Sequence, residues 1–113
     1  MGANKPPKNI RRTLKELSWK AYEIELREHL GNLFNNFKAW DNNKLKSGEL
    51  CDLIHEFHDG PSREMYKYYN TVDPEMSVSR AIVLEYFSSK QIPEDVYPYI
   101  SNSIEFCKKQ YKI

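Results

Sequence analysis

The sequence predicts an all-α protein, a compact bundle of five or six helices with a long N-terminal helix. Apolar residues recur at three- and four-residue steps over most of the chain, and no segment alternates apolar and polar residues as a half-buried strand would. Proline, glycine or polar clusters separate the periodic segments. With 113 residues and 40% hydrophobic composition, the chain can bury about two-thirds of its unfolded surface and should fold as one domain.

The N-terminal part divides into an arm and the longest helix. Residues 1–9 contain two prolines and no apolar period, so we expect a disordered basic arm there and a single helical domain over residues 10–113. From Thr13 to about Trp40 there is neither proline nor a turn cluster, which predicts one amphipathic helix that is the spine of the bundle. Its apolar face contains Trp19, Tyr22, Leu26, Leu30, Leu33, Phe37 and Trp40, widened by Leu14, Leu17, Ala21, Ile24 and Phe34.

Two further helices are predicted after a polar turn. Ser47 is a good N-cap for the second helix, and Gly60 is expected to end it by adopting the left-handed conformation. Pro61 then suits the first turn of a third helix, which continues to about Asn70. The buried candidates of this third helix are Met65, Tyr68 and Tyr69.

Proline also marks the elements of the C-terminal part. Asp73 and Pro74 give the start signal of a fourth helix, Pro93 marks a short turn or helical turn, and Pro98 opens the last helix. The apolar residues of these two helices are Val78, Ala81, Ile82, Leu84, Tyr86 and Phe87 in the fourth, and Ile100, Ile104, Cys107 and Tyr111 in the last.

The second predicted helix carries most of the chemically versatile side chains. Its apolar residues recur at i, i+3, i+4 and i+7, and Cys51, His55, His58 and Asp59 lie along the adjoining edge. Three nitrogen or sulfur donors on one edge suit zinc or another transition metal, so Cys51, His55 and His58 are candidate metal ligands. However, the chain has neither His-Glu-x-x-His nor Cys-x-x-Cys, and the histidines have acidic neighbours with which to pair. No cofactor is predicted.

The same edge continues into a candidate partner surface. His55, His58, Asp59, Arg63 and Tyr66 are the residues that we expect to bind a protein or a second copy of the chain. Tyrosine combines a large apolar ring with a polar tip, which is why it is enriched at interfaces. No acid and base in the chain have a spacing that catalysis specifically requires, so no catalytic residue is predicted.

Charge and cysteine content narrow the other functional classes. Residues 1–20 hold six basic residues and one acid, whereas the remainder holds 11 basic and 15 acidic residues. Such a basic arm is an alternative nucleic-acid site, but a solvated terminus is the favoured interpretation because Trp19 is the one aromatic residue interleaved with the basic residues 5 to 20. Only two cysteines and no apolar run of membrane-spanning length occur, which predicts a cytoplasmic protein without a membrane contact.

One resemblance supports this interpretation. Ser-Gly-Glu-Leu is followed by Leu-Ile-His-Glu-Phe-His-Asp-Gly-Pro-Ser-Arg-Glu-Met-Tyr-Lys-Tyr-Tyr-Asn, and later segments contain Ala81-Ile82 and Ile92-Pro93. With these segments the chain resembles a family of small, uncharacterised all-helical bacterial proteins. The resemblance implies a bacterial, cytoplasmic, stand-alone domain and brings no activity, ligand or catalytic residue with it. A non-catalytic interaction module is therefore the predicted function, with metal or small-ligand binding as the alternative.

Overall fold

A computed structural model describes residues 5 to 112 of the protein, without the side chain of Ser89. This part of the chain consists of helices and turns and contains no strand, so the predicted all-α class is confirmed. The helical segments are α1 (Lys8–Asp41), α2 (Ser47–Phe57), α3 (Arg63–Thr71), α4 (Pro74–Val83) and α5 (Tyr97–Gln110), with a π-helical turn at His58–Ser62 and 3-10 turns at Ser89–Gln91 and Glu94–Val96.

The long N-terminal helix is also confirmed. α1 has 34 residues, which corresponds to about 51 Å of helix and accounts for most of the 57 Å length of the molecule. It begins at Lys8, inside the segment predicted to be a disordered arm, and Pro6 is buried. Residues 1 to 4 of the predicted arm lie outside the described residues. α1 therefore runs along most of the described part of the protein, whereas each of the other segments covers a shorter part of it.

The predicted count of five or six helices is wrong, because α2, the π-helical turn and α3 form one continuous helical rod. The described chain accordingly has four helices rather than five or six. Gly60 does not end a helix, since no described glycine has a positive φ. Pro61 lacks an N–H group and its ring would clash in an α-helical turn, whereas the wider π-helical turn at His58–Ser62 accommodates it.

The buried core lies at one end of the molecule, where α4 packs between α1 and α5 and the rod of α2 and α3 lies beside α1. A polar contact fixes α1 against α4 inside this core, because the hydroxyl oxygens of Ser18 and Ser77 are 2.7 Å apart and both residues are buried. The core cluster consists of Ile10, Leu14, Leu17, Ala21, Met65, Tyr69, Val78, Ala81, Phe87, Ile92, Val96 and Ile100.

The core face of α1 is not its most apolar face. Leu14, Ala21 and the other buried residues of α1 lie on one side of the helix. At 3.6 residues per turn, a second row of large apolar residues lies on a side that is rotated by roughly 160° about the helix axis. Most of this row faces solvent. We call it the α1 stripe: Trp19 (48% exposed), Leu26 (half-buried), Leu30 (45%), Phe34 (62%) and Phe37 (39%).

The conformation at Gly60 gives a stability prediction. Apart from its chain neighbours and its own helix backbone, a Cβ at this position would meet no atom within 4 Å, and its φ is not positive. Alanine loses less backbone entropy on folding than glycine, but its Cβ would contact the ring of Pro61, which disfavours a helical conformation at the preceding residue. Gly60→Ala should therefore change the free energy of unfolding by less than about 0.5 kcal/mol, because the two effects oppose each other. Urea unfolding measures this change. Gly31→Ala, at an open position within α1 that no proline follows, is the matched control and should raise the free energy of unfolding by about 0.5–1 kcal/mol. A loss of more than about 1 kcal/mol at position 60 alone would indicate a left-handed helix end instead.

Candidate functional site

Three of the residues predicted for the partner surface lie together. His58, Arg63 and Tyr66 line a shallow groove of 420 Å³ together with Ser62 and with Tyr22 of α1. The π-helical turn supplies His58 and Ser62, and α3 supplies the other two residues of this side. Tyr66 is 60% exposed, so its ring is available for contact with another molecule. We call this the Tyr66 groove.

The other predicted site residues are exposed but do not line this groove. His55 and Asp59 face solvent on the outer side of the rod, and so does the thiol of Cys51, which is free. Within residues 5 to 112, no three side chains of histidine, cysteine, aspartate or glutamate are grouped so that they would hold a metal ion. The metal site of Cys51, His55 and His58 stays a prediction from the sequence.

The Tyr66 groove adjoins the α1 stripe through a series of aromatic rings. The ring of Tyr22 lies 5.8 Å from that of Trp19, a residue of the stripe, and stacks at 4.9 Å on the ring of Tyr69. Tyr68 packs edge-on against Tyr69 at 5.0 Å. Because Tyr69 is buried, the packing holds the rings of Trp19 and Tyr22 at the surface with a low conformational entropy.

Two shallow depressions border the α1 stripe. The first, of 310 Å³, is lined by Glu23, Leu26, Arg27, Leu30, Gly31 and Phe34. The second, of 340 Å³, is lined by Trp19, Lys20, Glu23, Ile24, Phe87 and Gln91. Both have an apolar floor with charged residues at the rim. This is the arrangement in which protruding apolar side chains of another molecule usually bind.

A bidentate ion pair lies deeper, between α1 and α4. Glu25 accepts two hydrogen bonds from Arg80, at 2.9 Å to Oε1 and 3.0 Å to Oε2. The hydroxyl of Tyr69 donates a third to Oε1 at 2.9 Å. Arg80 in turn donates from Nε to the hydroxyl of Tyr111 at 2.9 Å, and its guanidinium lies 5.0 Å from the ring centre of Tyr68. One ion pair thus joins α1, α3, α4 and the end of α5.

This environment sets the protonation of the pair. Burial alone raises the pKa of Glu25, but the hydrogen bonds from Arg80 and Tyr69 and the charge of Arg80 outweigh it, so the pKa lies below its ordinary value. The hydrogen bonds to Glu25 raise the pKa of Arg80, although burial opposes them. Burial and the bond to Glu25 raise the pKa of Tyr69. Both partners are therefore charged over the physiological range.

An open cleft of 390 Å³ lies over this pair and is lined by Glu25, His29, Pro61, Glu64, Met65, Tyr68, Arg80 and Tyr111. Its central carboxylate already accepts three hydrogen bonds, and its guanidinium is paired in bidentate geometry. A general base needs a free lone pair within reach of the proton it removes, and an anion site needs an unpaired cation. The pair therefore serves to hold helices together, and the cleft is a weaker candidate site than the aromatic surface.

Sequence reasoning missed the ion pair, although one signal of it is present. Glu25 continues the spacing of Leu14, Ser18 and Ala21, so an acid occupies the core face of α1. A charge on a core face is costly unless it is paired, which indicates a buried basic partner. The sequence does not identify Arg80 as that partner, because the contact spans 55 residues.

Comparisons of the chain with models of protein families, with curated proteins and with solved structures give no match. The resemblance to a bacterial helical family stays a prediction from the sequence. Among the described residues, no helix combines the length and apolar character that crossing a membrane requires. The predicted cytoplasmic location stays a prediction as well.

The Glu25–Arg80 pair gives a prediction of pH-dependent stability. The pKa of Glu25 is lowered in the folded state. The ionised side chain therefore contributes to the free energy of unfolding above the ordinary glutamate pKa of 4.5, and this contribution is lost as the pH falls through the lowered pKa. Glu25→Gln should therefore lower the free energy of unfolding by about 3 kcal/mol at neutral pH, since it leaves a partly buried Arg80 unpaired. The difference from the wild type should shrink below pH 4.5.

Urea unfolding between neutral and acid pH measures this difference. Glu16→Gln, at an exposed position of the same helix, removes one carboxylate without touching the pair and should have little effect. A difference between wild type and Glu25→Gln that stays constant at acid pH would contradict a lowered pKa of Glu25.

Proposed function

We propose that this chain is a non-catalytic protein–protein interaction module of the bacterial cytoplasm. The observation that carries the proposal is the exposed α1 stripe, a row of large apolar side chains that the fold leaves uncovered. The Tyr66 groove, with His58 and Arg63 beside the aromatic ring, forms a polar edge next to this stripe. An apolar centre with aromatic, arginine and other polar groups at its margin is the composition of a protein interface.

The size of the stripe supports this proposal. If a fully exposed aromatic side chain presents about 200 Å² and a leucine somewhat less, the four exposed residues leave about 350 Å² of apolar surface in water. Patches of about 300–600 Å² are the largest found on typical monomers and are often functional. Leaving this area exposed opposes solubility, so contact with another protein surface is the role that best accounts for it.

The internal pairing of the charged residues also favours binding over catalysis. Enzymes keep an acid, base or nucleophile free to react, whereas Glu25 and Arg80 satisfy each other. The surface residues of the Tyr66 groove are a histidine, an arginine, a serine and two tyrosines. These are groups that recognise a partner through hydrogen bonds and ring contacts.

Site-specific photo-cross-linking tests the proposal. Phe34→benzoylphenylalanine and Tyr66→benzoylphenylalanine, introduced singly, should form protein adducts on illumination in bacterial cells, which mass spectrometry of the purified adducts detects. Phe106→benzoylphenylalanine is the matched control, because Phe106 is 52% exposed on α5 and lies outside both surfaces. Adducts from all three positions in equal yield, or from none, would contradict an interaction through the stripe and groove.

A further inference from the structure

We infer that the partner seated on the α1 stripe is a second copy of this chain, packed with its α1 antiparallel to the first and with the two-fold axis beside Leu30. This inference rests on the proposed function, since it names the occupant of the same surface. In such a two-fold dimer, each residue n of α1 lies opposite residue 60 − n of the other copy, and every contact occurs twice.

The central side chains of the stripe are self-complementary in this register. Leu30 meets its own counterpart at the axis, and Leu26 lies opposite Phe34 of the second copy. Glu23 lies opposite Phe37, and Tyr22 lies opposite Lys38. An antiparallel pair places each large aromatic ring of one copy against a smaller or recessed position of the other, which is how helices interdigitate.

One depression along the stripe lies where this register needs it. Phe34, the most exposed residue of the stripe, comes opposite the depression that Leu26, Arg27, Leu30 and Phe34 of the second copy line. Each copy thus offers one protruding ring and one recess at matching heights along α1.

The charges that flank the stripe decide between the antiparallel and the parallel arrangement. Lys20, Glu23, Lys38 and Asp41 are exposed along one edge of α1, and within residues 5 to 112 none of them is in an ion pair. Antiparallel packing brings Glu23 beside Lys38 of the second copy and Lys20 beside Asp41. Parallel packing would instead place like charges together, Glu23 beside Glu23 and Lys38 beside Lys38, which is unfavourable.

The area also suits a dimer. The smallest standard interfaces bury about 600 Å² per partner, of which about 57% is apolar, so they need about 350 Å² of apolar surface on each side. The four exposed residues of the stripe supply about that much. Half-buried Leu26 adds to it. Each copy would cover the stripe of the other, and no exposed apolar row would remain on this side of α1.

Analytical ultracentrifugation of the full chain with charge-reversed variants tests the arrangement. The wild type should sediment as a dimer that dissociates on dilution. Lys38→Glu and Glu23→Lys should each raise the dissociation constant about ten-fold, because each creates two like-charge contacts per dimer. An equimolar mixture of the two variants should dimerise as tightly as the wild type, since both contacts then join opposite charges. Lys109→Glu, on α5, makes the same charge change outside the interface and should leave dimerisation unchanged.

Cysteine cross-linking tests the register. In a Cys51→Ser background, which removes the exposed native thiol, Leu30→Cys should form a disulfide-linked dimer under mild oxidation because the two residues meet at the axis. Asn35→Cys, on the opposite side of α1, is the matched control and should remain monomeric on a non-reducing gel. Circular dichroism of every variant establishes that it is folded.

The outcomes separate this inference from the proposed function. A wild type that is monomeric at all concentrations, a dimer insensitive to both charge reversals, or equal cross-linking at positions 30 and 35 would each overturn the antiparallel dimer. If the wild type is monomeric while Phe34→benzoylphenylalanine forms an adduct with a different protein, the second copy is rejected and the interaction module stands. If Phe34 forms no adduct with any protein, both proposals fail.

Discussion

The ion pair between Glu25 and Arg80 is the constraint on which the arrangement of the helices depends. It lies where α1 crosses α4, and its hydrogen bonds reach Tyr69 of α3 and Tyr111 at the end of α5. A bidentate ion pair fixes both the distance and the relative orientation of the two helices that carry it. Apolar contacts between helices are less directional. Since the charges are paired and hydrogen-bonded, the cost of removing them from water is largely offset. The interior of this small protein is therefore specified by this ion pair and by the Ser18–Ser77 contact within an apolar cluster.

The length of α1 is the second constraint, and it explains why so much apolar surface is exposed. The core occupies only the part of α1 from Ile10 to about Glu25. Beyond it, only the rod of α2 and α3 accompanies the helix, and a single neighbour cannot cover more than one side of a helix. The apolar residues on the opposite side consequently remain in water. An exposed face of this kind is the expected result when a helix is longer than the bundle that supports it.

The rod of α2 and α3 shows how a local signal was overridden. Gly60 and Pro61 form a pair that usually ends one helix and opens another. Here Met65 and Tyr69 are buried beside α1 and Leu50 is buried further along the same rod, so both segments gain by packing on α1 as one continuous helix. The π-helical turn admits the proline without ending the helix. Packing on α1 thus overrode the local signals, which predicted two helices.

The sequence by itself determined the helical class, the long first helix, the start of α4 at Pro74, and most of the core residues. Periodicity and proline positions are local properties of the chain, so they are readable without tertiary information. Of the five residues predicted for the partner surface, His58, Arg63 and Tyr66 line one groove, whereas His55 and Asp59 do not. Only the tertiary structure decided which apolar row of α1 faces the core, because the rows around Leu14 and Trp19 have similar periodicity. It alone paired Glu25 with Arg80, since a contact across 55 residues depends on how the helices pack and not on their sequence spacing.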